Sequence, residues 1–218
     1  MPPQLFLDPR DRTTAGVYHF GGPIPLRVRR FGLYANIGNW LPGDLVLVSP
    51  LQPDFTQSLI IAGHTDGGYQ QKDARWHHAA IYVGDGDICE AMPVGVRHTS
   101  MDIYIDGRHF IRVRRDLDLE MDQRWRIALR ALTKLKTPYS IASIFDLFWL
   151  SRVGFNSVSN AVRPKRGAYI CSQLYADAYS PITGKVLQNP RSGEITPAFL
   201  SSTDQLQDVP VHWLQLEA

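Results

Sequence analysis

His78-Ala-Ala-Ile-Tyr-Val83 and Ile88-Cys-Glu-Ala91 are two short apolar runs on either side of Gly84-Asp-Gly-Asp87. The four intervening residues favour positive φ, and apolar runs flanking such a segment are the pattern of a β-hairpin. If the turn holds all four, Val83 pairs with Ile88 and Tyr82 lies opposite Cys89. His78, Ala80 and Ile81 then come near Ala91 and Met92. That register places Glu90 close to the His78 imidazole, while side-chain alternation turns His77 away from His78 and Cys89 away from Glu90.

On the N-terminal side of the hairpin, Leu41-Pro-Gly-Asp44 is turn chemistry and Leu45-Val-Leu-Val48 reads as a buried strand. Residues 12–43 contain no acid but carry Arg12, Arg27, Arg29 and Arg30, with Gly21, Gly22, Pro23 and Pro25 interrupting them. Residues 1–40 are therefore expected to be a basic, irregular arm packed on the domain, with one short strand at Leu26 to Phe31. Leu59-Ile-Ile61 is another apolar run, followed by an expected polar loop from Gly63 to Arg75.

On the C-terminal side, Gly95 to Thr99 and His109 to Arg114 continue the strand pattern. Met121, Trp125, Ala128, Leu129, Leu132 and Leu135 then recur at spacings of three and four, which predicts an amphipathic helix ending at Thr137-Pro138. Ser140 to Ser151 and Cys171 to Tyr179 read as further helices. Strands thus gather in the first half and helices in the second, so the expected class is α+β with a mainly antiparallel sheet packed against helices. Residues 41–218 are expected to form the catalytic domain.

The 218 residues carry 23 basic and 21 acidic side chains, a net charge of +2 that does not fit a general nucleic-acid binder. Two cysteines exclude a disulfide framework. No signal peptide or membrane span is legible, since Ile141 to Leu150 is too short to cross a bilayer. The expected location is the cytoplasm, or outside the cell by a route that uses no leader.

Cys171 begins a helix by this reading, and a helix start offers positive partial charge and free amides that favour a thiolate. Residues 147–176 contain no acid, while Arg152, Arg163, Lys165 and Arg166 precede the sulfur. The alternative is a buried cysteine packing as a small apolar group. A thiolate needs a base, and His78 has Glu90 nearby to orient it, although a half-buried strand histidine would show the same letters. A metal site from His64, Asp66, His77 and His78 lacks the ligand spacing zinc sites use, and no phosphate-cradling motif occurs. No cofactor is expected.

Gly43-Asp-Leu-Val-Leu-Val48, Trp76 to Gly86, Ile88 to Pro93, Thr137-Pro-Tyr139 and Tyr169 to Tyr175 together resemble the permuted branch of the NlpC-type papain-like superfamily, the YaeF/YiiX amidase-like proteins. Matched blocks run from Leu41 to Phe199 and include Glu194-Ile-Thr-Pro-Ala-Phe-Leu200. Their order carries the resemblance: histidine strand, acid, Pro-Tyr, then cysteine at a helix start. It implies a circularly permuted papain-like fold with Cys171 as nucleophile, His78 as general base and Glu90 as the orienter of the imidazole. Tyr139 matches the tyrosine that polarises the substrate carbonyl, and the Cys171 amide is a candidate oxyanion donor. The doubled histidine leaves His77 as a competing base, and Ser151 to Ala168 has no counterpart.

The leading expectation is a cysteine hydrolase acting on an acyl amide through a thioester, with bacterial cell-wall peptide as the natural substrate for such a fold. The runner-up is a lipid-directed acyl hydrolase or acyltransferase using the same residues, such as a phospholipase. It leans on the apolar 141–150 run and the basic segment after it, and would bring peripheral membrane contact. A non-catalytic binding module is the third reading. A bacterial effector would fit either enzyme. The sequence is silent on oligomeric state.

Overall fold

The computed structural model describes residues 4–138, 171–190 and 194–217. Tyr139, the apolar run 141–150 and the basic segment 151–168 lie outside them.

A six-stranded sheet organises the described residues. Its strands are β3 (Leu45–Pro50), β4 (His78–Gly84), β5 (Asp87–Met92), β6 (Gly95–Ser100), β7 (His109–Arg115) and β8 (Gln207–Asp208), in the order β6-β5-β4-β3-β7-β8. Every neighbouring pair is antiparallel. A second sheet has β9 (Trp213–Leu216) between β1 (Thr14–Tyr18) and β2 (Leu33–Ala35). The architecture is α+β with a mostly antiparallel sheet packed against helices.

Alternation along the strands builds two cores from one sheet. Leu45, Leu47, Ala79, Ile81, Cys89 and Ala91 face helices α4 (Met121–Leu132) and α5 (Cys171–Thr183). Val46, Val48, Ala80, Tyr82 and Ile88 face the other way, toward Leu7, Val28, Leu33, Trp40 and Trp213. Near-continuous apolar runs are what a sheet covered on both faces requires.

The N-terminal arm is more regular than its composition predicts. Leu26–Phe31 is a short helix, α1, rather than a strand. Six residues of mixed Leu, Val and Arg satisfy either period, and the flanks decide: Pro25 starts the turn, and Gly32 ends it at φ 78 with its N–H on the Val28 carbonyl. The arm's β1 and β2 pair with β9, so both ends of the described chain share one sheet.

The expected loop from Gly63 is also shorter than composition predicts. Helix α2 (Phe55–Asp66) runs through Gly63, and α3 (Gln71–Ala74) follows. Asp54 and Gln57 form a capping box that starts α2, a signal present in the sequence. In α4 the buried side is Arg124, Ile127, Ala128 and Ala131, turned from the expected stripe, so Met121, Trp125 and Leu129 stay about half exposed. Arg124 is buried because its guanidinium donates to the Asp116 carbonyl (2.5 Å) and lies 3.6 Å from the Asp44 carboxylate.

Candidate active site

The hairpin register differs by one residue from the expectation. Ala80 pairs with Glu90, Ile81 with Cys89 and Tyr82 with Ile88. The turn proper is Asp85-Gly86, with φ of 52 and 79, and Val83 falls in an irregularity between the Tyr82 and Gly84 pairings. Two positive φ values match the tight turn that suits the strand twist, and the bulge absorbs the extra residue. The slip has a chemical consequence. His78 and Ala80 share a face of β4, so the Glu90 carboxylate passes the small Ala80 methyl and meets the imidazole diagonally.

His78 Nε2 lies 2.6 Å from Glu90 Oε2. An ionised carboxylate only accepts, so Nε2 carries the proton. Two further donors hold the same carboxylate. Tyr104 O–H donates to Oε2 (2.6 Å), and Arg97 donates to Oε1 from Nε (2.8 Å) with a terminal nitrogen 2.7 Å from the same oxygen. Glu90 is fully buried, and burial alone would raise its pKa. His78, Tyr104 and Arg97 reverse that and bring it down to about 2. Burial and the Glu90 charge hold the Tyr104 phenol far above its ordinary value, so it stays a donor.

The side chain of Cys171 also acts on the ring. Burial disfavours the charged imidazole, but hydrogen bonds and charge from Cys171 and Glu90 outweigh it and push His78 up to about 10. With Nε2 committed to Glu90, Nδ1 is the nitrogen left for the sulfur. His78 opens β4 and Cys171 opens α5, two starts that chain order separates and packing joins. Helix α5 lies against β4 and β5, burying Leu174, Tyr175, Ala178 and Tyr179. Its position is fixed by Ser172 Oγ donating to the Ile195 carbonyl (2.6 Å), Tyr179 O–H to Asp116 Oδ2 (2.5 Å) and Arg130 Nε to the Asp177 carbonyl (2.9 Å).

Cys89, the second thiol, is fully buried in the helix-side core, and desolvation with the neighbouring Glu90 charge pushes it up to about 12. His77 stands beside His78 in a different setting: burial and the neighbouring histidines lower it to about 3, and among the described residues its buried Nδ1 has no partner. His64 is also lowered by burial, to about 4, with Nδ1 3.0 Å from the Ala74 carbonyl. Among the described residues no group of three or more His, Cys, Asp or Glu side chains is placed to hold a metal ion.

The structure thus brings Cys171, His78 and Glu90 together, and adds Arg97 and Tyr104, which the sequence reading missed. Arg97 had a signal: Met92-Pro-Val-Gly95 is a two-residue turn, and counting back from it sets Glu90 opposite Arg97. Tyr104 had none, because it ends a 3₁₀ turn at Met101–Tyr104 that no strand register reaches.

No protein-family model and no curated protein matches the chain. Among solved structures, the chain is similar to a protein described as metalloprotein YiiX from Escherichia coli O157:H7, with a TM-score of 0.52 and 15% identity. The likeness covers 78% of this chain and 97% of that one. At that identity the likeness is one of fold, and the protein that shares the fold is of the YiiX kind that the sequence blocks resemble.

Proposed function

We propose that this chain is a cysteine hydrolase with a circularly permuted papain-like fold, cleaving an acyl amide through Cys171, His78 and Glu90. The observation that carries the reading is the Glu90–His78–Cys171 run, with a fully buried carboxylate at one end and the thiol on helix α5 at the other. A histidine held protonated between a carboxylate and a sulfur favours a thiolate–imidazolium pair.

The thiolate attacks the acyl carbon, forming the C–S bond while the carbonyl electrons move to oxygen. The Cys171 amide is the candidate donor to that developing charge, and Tyr139 is the further donor the resemblance assigns. The intermediate collapses, the C–N bond breaks, and the imidazolium passes its proton to the departing amine. Neutral His78 then takes a proton from water, whose oxygen attacks the thioester. The C–S bond breaks, releasing the acid and restoring the ion pair. Glu90 keeps the ring in one orientation and stabilises its charge throughout. The structural neighbour is described as a metalloprotein; each step here is carried by the chain's own residues.

The test pairs labelling with turnover. A mild thiol electrophile at neutral pH is expected to alkylate Cys171 and spare Cys89, and Cys171→Ala to abolish release of amine from peptidoglycan fragments. Equal labelling of both thiols, or unchanged turnover in Cys171→Ala, overturns the enzyme reading. Free fatty acid released from phospholipid vesicles, with peptidoglycan untouched, overturns the amide and transfers the same residues to a lipid ester.

A further inference from the structure

Helix α1 concentrates positive charge that nothing in the described chain answers. Arg27, Arg29 and Arg30 occupy three of its six positions and are exposed, while Val28 is buried beneath them. Among the described residues none of the three guanidinium groups makes an ion pair or a side-chain hydrogen bond. Arg12 joins them at the end of the helix, donating to the Phe31 carbonyl (2.9 Å) with its cation 4.9 Å from the centre of the Phe31 ring. Residues 12–43 hold no acid. Acids on neighbouring segments are engaged elsewhere: Asp8 by Arg10, Asp102 by Tyr34, Asp106 by His109 and Glu217 by His19.

Helix stability does not explain this pattern. Cations suit the last turn of a helix, where Arg29 and Arg30 stand. Arg27 is in the first turn, where the helix end is itself positive and no acid offsets it. Six helical residues span only about 9 Å, so three like charges are held close together, and an external anion would relieve their repulsion. Leu26, the first residue of the helix, is 50% exposed. Arginines with an aliphatic side chain beside them suit a lipid interface, where cations meet headgroup phosphates and the aliphatic group enters the acyl boundary. A single-stranded nucleic acid calls for exposed aromatic faces on which bases stack. The one aromatic of α1, Phe31, is instead packed edge-on against Trp213 (5.1 Å) and covered by Arg12.

We propose that α1 docks this chain on an anionic bilayer, with Arg27, Arg29 and Arg30 against headgroup phosphates and Leu26 at the acyl boundary. The helix packs against the 3₁₀ turn Met101–Tyr104, so the docked surface adjoins the segment that carries Tyr104 to Glu90. Because the attraction is to a surface potential, binding falls as salt rises.

Vesicle flotation tests this, with circular dichroism to confirm that each variant is folded. The wild type is expected to bind phosphatidylcholine vesicles that contain phosphatidylglycerol and to leave pure phosphatidylcholine vesicles free. Combining Arg27→Ala, Arg29→Ala and Arg30→Ala is expected to weaken partition about 10²-fold, roughly fivefold for each charge near the surface. Lysine at the same three positions keeps the charge and is expected to keep binding. A control that removes three positive charges elsewhere, Lys72→Ala with Arg126→Ala and Lys136→Ala, separates this patch from net charge and is expected to bind like the wild type. A wild type that ignores anionic vesicles overturns the proposal, as does equal binding to neutral ones or binding undiminished in the triple alanine variant of α1. Capture of single-stranded RNA with anionic vesicles left unbound overturns it in favour of a soluble polyanion. Binding is read without turnover, so none of these outcomes depends on Cys171 or on hydrolase activity.

Discussion

His77 and His78 are adjacent in the chain and their ring centroids are 6.1 Å apart, yet their surroundings drive them in opposite directions. His78 has the Glu90 carboxylate on Nε2 and the Cys171 side chain acting on it, and is raised to about 10 in spite of burial. His77 is desolvated beside other histidines and falls to about 3, and among the described residues its Nδ1 has no hydrogen-bond partner. Burial alone disfavours an imidazolium, while burial beside a carboxylate and a sulfur favours it. The residue type is the same at both positions, and the environment sets which way each is shifted.

Removing each ring separately gives the sharpest contrast. His78→Ala is expected to slow alkylation of Cys171 by roughly 10²- to 10⁴-fold, the range of a lost general base. His77→Ala should change that rate by less than about tenfold. Equal effects, measured as second-order rate constants with an alkylating agent, would break the distinction.

Glu90→Gln tests what makes His78 different. The amide keeps the shape but loses the charge, leaving the Arg97 guanidinium and the His78 ring without their counterion. Breaking a buried pair by altering one partner costs about 3–5 kcal/mol, and urea unfolding would register it. Turnover should then fall away on the alkaline side at a lower pH than in the wild type, because the imidazolium that protonates the leaving amine is no longer held.

Stability as a function of pH separates the two histidines by sign. The folded pKa of His78 lies above its ordinary 6.5, so its contribution is complete below about 6.5 and is lost as pH rises toward about 10. Glu90 falls from 4.5 to about 2, so its contribution is complete above about 4.5 and is lost as pH falls toward 2. His77 does the reverse of His78: the unfolded chain takes a proton near 6.5 that the folded chain refuses until about 3, so stability declines as pH falls below 6.5. Unfolding measured from pH 3 to 10 is expected to show a flatter acid side in His77→Gln, and a flatter alkaline side in His78→Gln.

Tyr104→Phe is the mildest change. It removes one of the donors to Glu90, and a hydrogen bond to a charged group is worth about 1.5–3 kcal/mol. Thermal melting should record that loss, while Cys171 labelling stays within about tenfold of wild type because Glu90 and His78 remain in contact.

Much of the fold was legible because strand alternation is local. The runs at Leu45–Pro50, His78–Gly84 and His109–Arg115 carry their burial on both faces in their own letters. The hairpin was legible too, but its register was not. Gly84, Asp85 and Gly86 all tolerate positive φ, so composition could not say which pair makes the turn or that Val83 would bulge. The nearness of Glu90 to His78 was legible from the hairpin, since both belong to neighbouring strands. Tyr104 was invisible because its role depends on a turn that returns to Glu90 from fourteen residues away.

By itself, the sequence determined the elements whose signal is carried within a few residues: the strands, the amphipathic helix, a cysteine at a helix start and an acid across from a histidine. Only the tertiary structure decided which histidine is shifted up and which down, which cysteine is shut away and which side of α4 is buried. The reason is that alternation and helix periodicity act between chain neighbours, whereas desolvation and Coulomb interaction depend on distances that folding sets between residues far apart in the chain.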